Sequence, residues 1–156
     1  QWYPIGDIMR QAVRKYSQIF ILKKIHLNFQ DSRQMVLTDE KWLLFVIEQI
    51  LSNALKYTSS DEVRPPQAES ISLYIKGREL VVEDTGIGIA SEDLPRIFER
   101  GFTGYNGREH QKSTGIGLYL CKTIIQKLGH SIRAESRVGV GTKIYISLER
   151  ENVKFE

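Results

Sequence analysis

The sequence predicts an α+β domain in which helices pack on one face of a mixed, mostly antiparallel sheet. Apolar residues recur at helical spacing in three segments, near the N-terminus, over 39–57 and over 118–128, as in helices that bury one stripe against a core. Short alternating or continuous apolar runs lie between and after these segments, which is typical of strands. Such an order of elements is expected to fold into two packed layers.

Composition indicates a single globular domain, which we expect to span residues 1–156. The chain is 41% hydrophobic and 26% charged, as in ordinary globular proteins. Its longest apolar run, 19–22, is far shorter than the roughly 20 residues of a membrane-spanning helix, and no signal-peptide pattern opens the sequence. A net charge of +3 scattered among acids argues against a nucleic-acid partner. The lone Cys121 lies among apolar residues at helical spacing, so we expect it to be buried.

The first half of the chain is predicted to hold two helices and two strands. Helical spacing near the N-terminus is shared by Ile5, Ile8, Met9, Ala12, Val13 and Tyr16, with Pro4 suited to the first turn. Residues 25–29 alternate apolar and polar, which predicts a strand with His26 directed away from the core, and 35–38 predicts a shorter one. In the helix predicted over 39–57, Leu43, Ile47, Ile50 and Ala54 mark the buried face.

The second half is predicted to be richer in strands. After a Ser-, Asp- and Pro-rich interruption over 58–69, two strands, 70–75 and 79–84, are joined as a hairpin. A short helix over 92–98 precedes a long glycine-spotted loop, 101–112, and long loops in compact domains are usually functional or mobile. A helix over 118–128 stopped by Gly129 and two closing strands, 132–135 and 142–148, complete the prediction.

Three glycine-bearing motifs follow the helix over 39–57 in a fixed order. They are Asp-Thr-Gly-Ile-Gly-Ile at 84–89, Ser-Thr-Gly-Ile-Gly-Leu at 113–118 and Gly-Val-Gly-Thr at 139–142. A single Gly-x-Gly is weak evidence, because glycine is the default residue of tight turns. An ordered set behind a helix that carries a mid-helix Asn53 is hard to obtain by chance, and it predicts a nucleotide-binding site.

These motifs resemble those of sensor histidine kinases. The helix around Asn53 and the segments 84–88, 98–102, 115–118 and 139–142 match the N, G1, F, G2 and G3 boxes in order and spacing. The resemblance covers nearly the whole chain and implies the Bergerat fold, a two-layer α/β sandwich shared with DNA gyrase, heat-shock chaperone and mismatch-repair ATPases. It implies an ATP-binding catalytic domain that positions Mg-ATP for transfer of the γ-phosphoryl group to a histidine.

A narrower resemblance concerns the segments 96–108 and 112–122. They are similar to the membrane-bound kinases that are paired with peptide-antibiotic transporters in Gram-positive bacteria. The partners implied are an upstream dimerisation and phosphoacceptor domain of the same protein, a cognate response regulator and a membrane transporter. The implied whole protein is a homodimer in the bacterial cell membrane, with this domain in the cytoplasm.

Asp84 is the expected base contact. It ends a strand that should be buried, where a carboxylate needs a hydrogen-bonding partner. In the family, the aspartate at this position accepts a hydrogen bond from the exocyclic amine of adenine. An Asp that only caps the turn before Gly86 is the alternative, and it is common for an isolated Asp-x-Gly.

Gln49, Asn53, Lys56 and Tyr57 share one side of the predicted helix, because they are three or four residues apart. The resemblance implies that Asn53 is an oxygen ligand of Mg²⁺, a cation that prefers oxygen donors. It assigns Lys56 to the phosphates, places Tyr57 as a wall beside the nucleotide, and adds Gln49 to the catalytic set. A solvated polar face is the alternative, which suits Lys56 better than Asn53, since Asn is a mediocre helix former.

The other expected nucleotide contacts belong to the glycine motifs and their neighbours. They are Gly86, Gly88, Ile89, Phe98, Gly115, Ile116, Gly117, Leu118 and Thr142. Glycines let the backbone approach a ligand, and the first amides of the helix at 118 are free to donate to phosphate. Phe98 and Phe102 are expected to anchor the loop ends on the core.

The loop over 101–112 is expected to act as a lid over the nucleotide. Arg100, Arg108 and Lys112 lie in or beside it and would neutralise phosphates, although surface cations in general need no such role. Its polar sequence offers few apolar contacts, so we expect it to be ordered by the nucleotide.

Two departures refine the expected reaction. Many histidine kinases have Asn four residues before the metal-binding Asn, where this chain has Gln49; gyrase-type relatives have a Glu that acts as general base for water. A neutral Gln cannot take a proton, and Glu48 is turned about 100° around the helix. We therefore expect phosphoryl transfer to a protein nucleophile instead of steady hydrolysis.

The acceptor histidine of such kinases sits in a helix beside an acid, with Thr-Pro or Asn-Pro nearby. His26, His110 and His130 all lack this context. We therefore expect the acceptor to lie upstream of Gln1, and this chain to supply positioning and electrostatics. The competing functions are an ATPase switch of the gyrase or chaperone type, and a serine kinase of the anti-sigma class or a module that only reports nucleotide occupancy.

Overall fold

The computed structural model describes residues 1–58, 69–102 and 117–150. Within these ranges the elements are β1 (Trp2–Pro4), α1 (Ile5–Leu22), β2 (His26–Phe29), β3 (Met35–Leu37), α2 (Glu40–Thr58), β4 (Ser70–Lys76), β5 (Glu79–Asp84), α3 (Gly117–Lys127), β6 (Ser131–Arg137) and β7 (Gly141–Ser147). A three-residue 3-10 helix, Leu94–Arg96, lies between β5 and α3. The α+β class predicted from the sequence is confirmed.

Five of the described strands form the main sheet, in the order β2-β4-β5-β7-β6. Strand β2 runs parallel to β4, and the other neighbours are antiparallel. Strands β1 and β3 form a separate antiparallel pair. The mixed, mostly antiparallel sheet of the prediction is therefore present, and β1 is an addition, because three residues are too few to show a periodicity before they pair.

The helices cover one face of this sheet. Strand β5 contributes Leu80 and Val82 to the hydrophobic core, and β7 contributes Ile144 and Ile146. Successive side chains of a strand alternate between the two faces, so Asp84 continues the row of Leu80 and Val82 toward the helices. Helix α2 packs between α1 and α3 and against the central strands. The end of β5 and helix α2 thus lie on the same side of the sheet.

Most predicted elements are found close to their expected bounds, with one correction. The helix expected over 92–98 is only the 3-10 helix Leu94–Arg96. Its neighbours make successive tight turns, with the Leu94 amide donating to the Ala90 carbonyl and the Arg96 amide to the Asp93 carbonyl. Pro95 has no amide hydrogen to donate, which prevents a regular ladder. Cys121 is fully buried, as expected.

Three further points concern particular segments. His26 is exposed on β2, as predicted. Most of the interruption over 58–69 and most of the expected lid fall on residues 59–68 and 103–116, outside the described ranges. None of the described helices combines the length and apolarity needed to cross a membrane.

Helix α1 ends in a Schellman motif that has lysine at the position usually taken by glycine. The Ile25 amide donates to the Phe20 carbonyl and the Lys24 amide donates to the Ile21 carbonyl. Phe20 and Ile25 are both buried, which is the apolar contact that accompanies this motif. Lys24 has a φ of 56°, the one positive value among the described residues other than glycine. A side chain in this left-handed conformation costs free energy that glycine avoids.

We expect Lys24→Gly to raise the free energy of unfolding by about 0.5–1 kcal/mol, the relief of strain less the greater unfolded-state entropy of glycine. The matched control is Lys23→Gly, because Lys23 is right-handed with φ of −86°. It should lower stability by roughly 0.5–1 kcal/mol. Urea unfolding of both variants checks the opposite signs, and equal effects would contradict the account.

Candidate nucleotide-binding site

Asp84 lies at the centre of the candidate site. Its Oδ1 accepts hydrogen bonds from the amides of Gly86 (2.8 Å) and Thr142 (3.3 Å). Burial raises the pKa of Asp84 to about 6, and these two amide bonds oppose the rise. Among the described residues both bonds reach Oδ1, so Oδ2 is left to accept from a ligand. The turn-capping alternative is therefore also present, and it uses only one of the two oxygens.

Two glycine motifs that are far apart in the sequence meet around this carboxylate. Gly141 has a φ of 141°, and a Cβ there would lie 1.9 Å from the Asp84 carbonyl oxygen. Gly88 has a φ of 79°, and its Cβ would lie 2.2 Å from the Arg137 carbonyl oxygen. The Gly139 amide donates to the Ile87 carbonyl at 2.8 Å. The loop 85–90 and the turn 138–141 are therefore joined through close backbone contacts at Gly88, Gly139 and Gly141.

The C-terminal end of α2 is attached to the same loop. The Ile87 amide donates to the Tyr57 carbonyl at 3.4 Å, and Gly86 packs directly on that carbonyl. Two turns earlier, Gln49 lies beside the start of α3, since its Oε1 is 3.8 Å from where a Cβ of Gly117 would stand. Asn53 is half-buried one turn from each of these contacts. It therefore faces the space between the loop after β5 and the N-terminus of α3.

Glu48 is directed away from this space. Its carboxylate forms an ion pair with Lys15 of α1, with 3.5 Å between Oε2 and Nζ. The rotation expected from the sequence is thus matched by a partner on the neighbouring helix. Glu48 is not placed to act on a ligand bound beside Asn53.

The predicted F box packs against α3 and the core. The Phe98 ring lies under the Lys122 ammonium, 5.5 Å from nitrogen to ring centroid. The Phe102 ring lies under the Arg96 guanidinium at 5.2 Å. Both rings are half-buried against the hydrophobic core. Phe98 is thus an anchor, as expected, and its ring is engaged by α3 in this structure.

Most of the predicted site residues come together. The structure gathers these residues around the ends of α2 and β5 and the starts of β7 and α3: Gln49, Asn53, Lys56, Tyr57, Asp84, Gly86, Gly88, Ile89, Gly117, Leu118 and Thr142. Phe98 lies outside this group, with its ring against Lys122 of α3. Gly115 and Ile116 lie outside the described residues, as do Arg108, His110 and Lys112.

Ser136 belongs to this site and was missed by the sequence reasoning. Its Oγ accepts a hydrogen bond from the Ile89 amide (2.7 Å), donates to the Gly141 carbonyl (3.0 Å) and lies 2.7 Å from Thr142 Oγ1. A lone serine in a strand carries no motif, so one sequence offers no signal for this role. The nearness of Ser136 to the 139–142 motif is the only hint available.

The arrangement has the features that a nucleotide and its metal require. One free carboxylate oxygen can accept from the amine of a base, and the glycine backbone admits a flat ring beside it. The carboxamide oxygen of Asn53 suits Mg²⁺, which prefers oxygen ligands and keeps waters and phosphate oxygens. In the described part of the chain, no group of three or more His, Cys, Asp or Glu side chains is arranged to hold a metal ion.

Residues 38–152 match the family of histidine kinase-, DNA gyrase B- and HSP90-like ATPases. The chain is 36% identical over 149 residues to sensor histidine kinase YxdK of Bacillus subtilis, covering 92% of this chain and 44% of that protein. It is 40% identical over 154 residues to sensor protein BceS of Bacillus subtilis, covering 97% of this chain and 44% of that protein. The chain thus spans less than half the length of these curated relatives.

Solved structures of similar fold are also histidine kinases. The mycobacterial sensor histidine kinase MprB matches with a TM-score of 0.77 at 23% identity, over 95% of this chain and 97% of that chain. The catalytic domain of histidine kinase ThkA matches with a TM-score of 0.74 at 20% identity, over 96% of this chain and 97% of that chain. At these identities the likeness concerns the fold alone.

The raised pKa of Asp84 predicts a pH-dependent effect of Asp84→Asn on the ligand-free protein. Folding favours the protonated acid, so the fold loses stability as the pH rises from about 4, the ordinary pKa of Asp, to about 6, and the loss is complete above that. We expect the variant to be more stable than wild type at about pH 8, by on the order of 2 kcal/mol, and the gap to shrink toward about pH 5.

Urea unfolding at several pH values measures this gap. Asp93→Asn is the control, since it removes the same charge from a carboxylate that makes no capping hydrogen bond. A gap that stays constant from about pH 8 to about pH 5 would contradict the burial of the Asp84 carboxylate as its cause.

Proposed function

The chain belongs to the family of histidine kinase-, DNA gyrase B- and HSP90-like ATPases, and on this premise we propose that it is the ATP-binding catalytic domain of a two-component sensor histidine kinase. The domain would position Mg-ATP so that its γ-phosphoryl group passes to a histidine elsewhere in the same protein. The similarity to YxdK and BceS, which spans nearly all of this chain, supports the kinase assignment within the wider family.

The observation that carries this proposal is the half-satisfied carboxylate of Asp84. One oxygen is held by two backbone amides, so the side chain is fixed. The other oxygen accepts no hydrogen bond from the described residues, so it can accept from the amine of a base seated on the glycine backbone. A hydrogen bond to a charged acceptor contributes about 1.5–3 kcal/mol. Asp84 therefore serves as the base-recognition residue in our proposal.

The phosphates and metal are assigned to α2 and the start of α3. Asn53 would bind Mg²⁺, and Lys56 would place its ammonium near the phosphates. Tyr57 would line the nucleotide beside the loop after β5. The free amides at the beginning of α3, from Gly117 onward, are suited to an anion, because helix N-termini attract negative charge.

The proposed reaction transfers the γ-phosphoryl group to a histidine nitrogen. The new bond joins that nitrogen to the γ-phosphorus, the bond between the γ-phosphorus and the β,γ-bridging oxygen breaks, and ADP leaves. Such transfer needs little covalent chemistry from the protein beyond positioning and charge stabilisation. The described residues supply both functions around Asn53 and Lys56.

We place the acceptor histidine in a part of the protein outside this chain. His130 is buried, with its Nε2 3.0 Å from Thr38 Oγ1, and burial is the main cause that lowers its pKa. His26 lies on β2, an edge strand at the far side of the main sheet from β6. Neither is presented to a phosphate held near Asn53. The greater length of the relatives leaves room for an acceptor domain.

An ATPase switch is the second candidate, and Gln49 disfavours it. Steady hydrolysis requires a group that takes a proton from water. Gln49 cannot do so, and the neighbouring acid Glu48 is engaged with Lys15 of α1. Phosphoryl transfer to a protein nucleophile, which needs no such base beside Asn53, agrees better with these contacts.

For the whole protein we propose partners that follow from the same relatives. A cognate response regulator would receive the phosphoryl group, and the kinase would act as a homodimer through its acceptor domain. We also propose a place at the cytoplasmic side of the bacterial membrane, together with a transporter, because the segments 96–108 and 112–122 resemble membrane-bound kinases that are paired with peptide-antibiotic transporters.

One prediction of the proposed function concerns nucleotide binding. Titration with a fluorescent ATP analogue should show that Asp84→Asn weakens affinity by roughly tenfold to a hundredfold. Asn53→Ala should bind the analogue equally with and without Mg²⁺, because the metal ligand is removed. The control Asn28→Ala changes an exposed residue of β2 and should behave as wild type. Wild-type protein that binds no analogue would refute the proposed function.

Another prediction of the proposed function concerns the hydrolysis of ATP. Gln49→Glu should raise steady phosphate release from ATP by about tenfold or more, because a general base is restored beside Asn53. Glu48→Gln should leave the rate at the wild-type level, because that carboxylate contacts Lys15. Phosphate release measured on the isolated chain checks both variants. A loss of phosphate release in Glu48→Gln would instead show that Glu48 acts as the general base, which would contradict this account.

A further inference from the structure

Ser136, Thr142 and Asp84 form a row across three neighbouring strands. Thr142 of β7 is paired in register with Asp84 of β5 on one side and with Ser136 of β6 on the other. Directly opposite residues of an antiparallel pair share a face. All three side chains therefore lie on the helix-covered face, with the two hydroxyls leading away from the carboxylate.

The hydrogen bonds of Ser136 assign directions to the hydroxyl protons of Ser136 and Thr142. The Ile89 amide can only donate to Ser136 Oγ, and the Gly141 carbonyl can only accept from it. A serine hydroxyl has one proton, which therefore goes to Gly141. The remaining contact, 2.7 Å between Ser136 Oγ and Thr142 Oγ1, is satisfied only when Thr142 donates. The hydroxyl proton of Thr142 is thus directed at Ser136.

This assignment turns Thr142 into an acceptor toward the ligand. Its proton is engaged, so only the lone pairs of Oγ1 remain available beside Asp84. The Thr142 amide holds Asp84 Oδ1 at 3.3 Å, which keeps the two acceptors together. A base with an amino group at C6 can donate to such a pair. A 6-oxo base directs a third acceptor at the same point, and it must shift in the site before its N1–H can donate instead.

We infer that Ser136 is a positioning residue that makes Thr142 an acceptor-only hydroxyl beside Asp84, and that the site thereby selects 6-amino over 6-oxo purine nucleotides. This inference rests on the proposed function. Ser136 acts through Thr142 and the loop after β5, and it has no contact with the nucleotide of its own. The hairpin itself does not need the hydroxyl, because β6 and β7 are paired over seven residues of backbone.

The test compares ATP with inosine triphosphate, which carries a carbonyl group at C6 and a proton on N1. Wild-type protein should bind ATP at least about tenfold more tightly. In Ser136→Ala, Thr142 can turn its proton toward the ligand, so the preference should fall by about fivefold or more. Thr142→Val, which keeps the shape and removes the hydroxyl, should lose preference to a similar degree. The double variant, Ser136→Ala with Thr142→Val, should lose no more of the preference for ATP than the more affected single variant.

Ser131→Ala is the matched control, since Ser131 is exposed at the other end of β6 and should keep the wild-type ratio. Equal weakening of both nucleotides in Ser136→Ala and in Thr142→Val would overturn the inference, because a purely structural role acts on both ligands alike. Affinities for both nucleotides that stay at the wild-type level in the two variants would also overturn it while leaving the proposed function intact. Failure of wild-type protein to bind either nucleotide would instead refute the proposed function.

Discussion

The close approach of Gly141 to the carbonyl of Asp84 is the constraint on which the site depends. Any side chain at Gly141 would overlap that oxygen, so the start of β7 can reach the end of β5 only as glycine. The approach brings the Thr142 amide to Asp84 Oδ1 and fixes the carboxylate. It also joins the turn after β6 to the loop after β5, through the bond from Gly139 to Ile87. The base recognition that we propose would therefore depend on backbone packing before it depends on side chains.

The site uses stability that the core supplies. A carboxylate held where burial raises its pKa disfavours the ligand-free fold at neutral pH. The cost is tolerated because α2 buries Leu43, Ile47, Ile50 and Leu51 completely or nearly so, and each such side chain contributes about 1.5–3 kcal/mol. The same burial fixes the rotation of α2, so that Asn53 faces the ligand space. Core packing and the proposed metal site therefore share one helix.

Sequence reasoning predicted the elements whose signals are local. Helix α2 and the β4–β5 hairpin were expected nearly as found, because apolar period and turn residues lie within each segment. Strand β1 escaped prediction because its pairing with β3 is a tertiary contact. The prediction of a helix over 92–98 was wrong, because Pro95 interrupts the backbone hydrogen bonds and only a 3-10 helix forms. The glycine motifs indicated a nucleotide site, but a single sequence could not show that two of them touch, nor that Ser136 joins them, since both facts depend on strand order.

The ion pair between Glu48 and Lys15 has a consequence for how such a domain could change its reaction. Glu48 precedes Gln49 by one residue, so a shift of α2 by a single position would bring its carboxylate to the place now held by Gln49, beside the proposed metal ligand Asn53. What prevents the shift is the apolar stripe of the helix, which would be turned out of the core by the same movement. In our proposal, the position of the apolar stripe of α2 in the core therefore keeps the domain a phosphoryl donor instead of an ATP hydrolase. The ion pair between Glu48 and Lys15 marks that position.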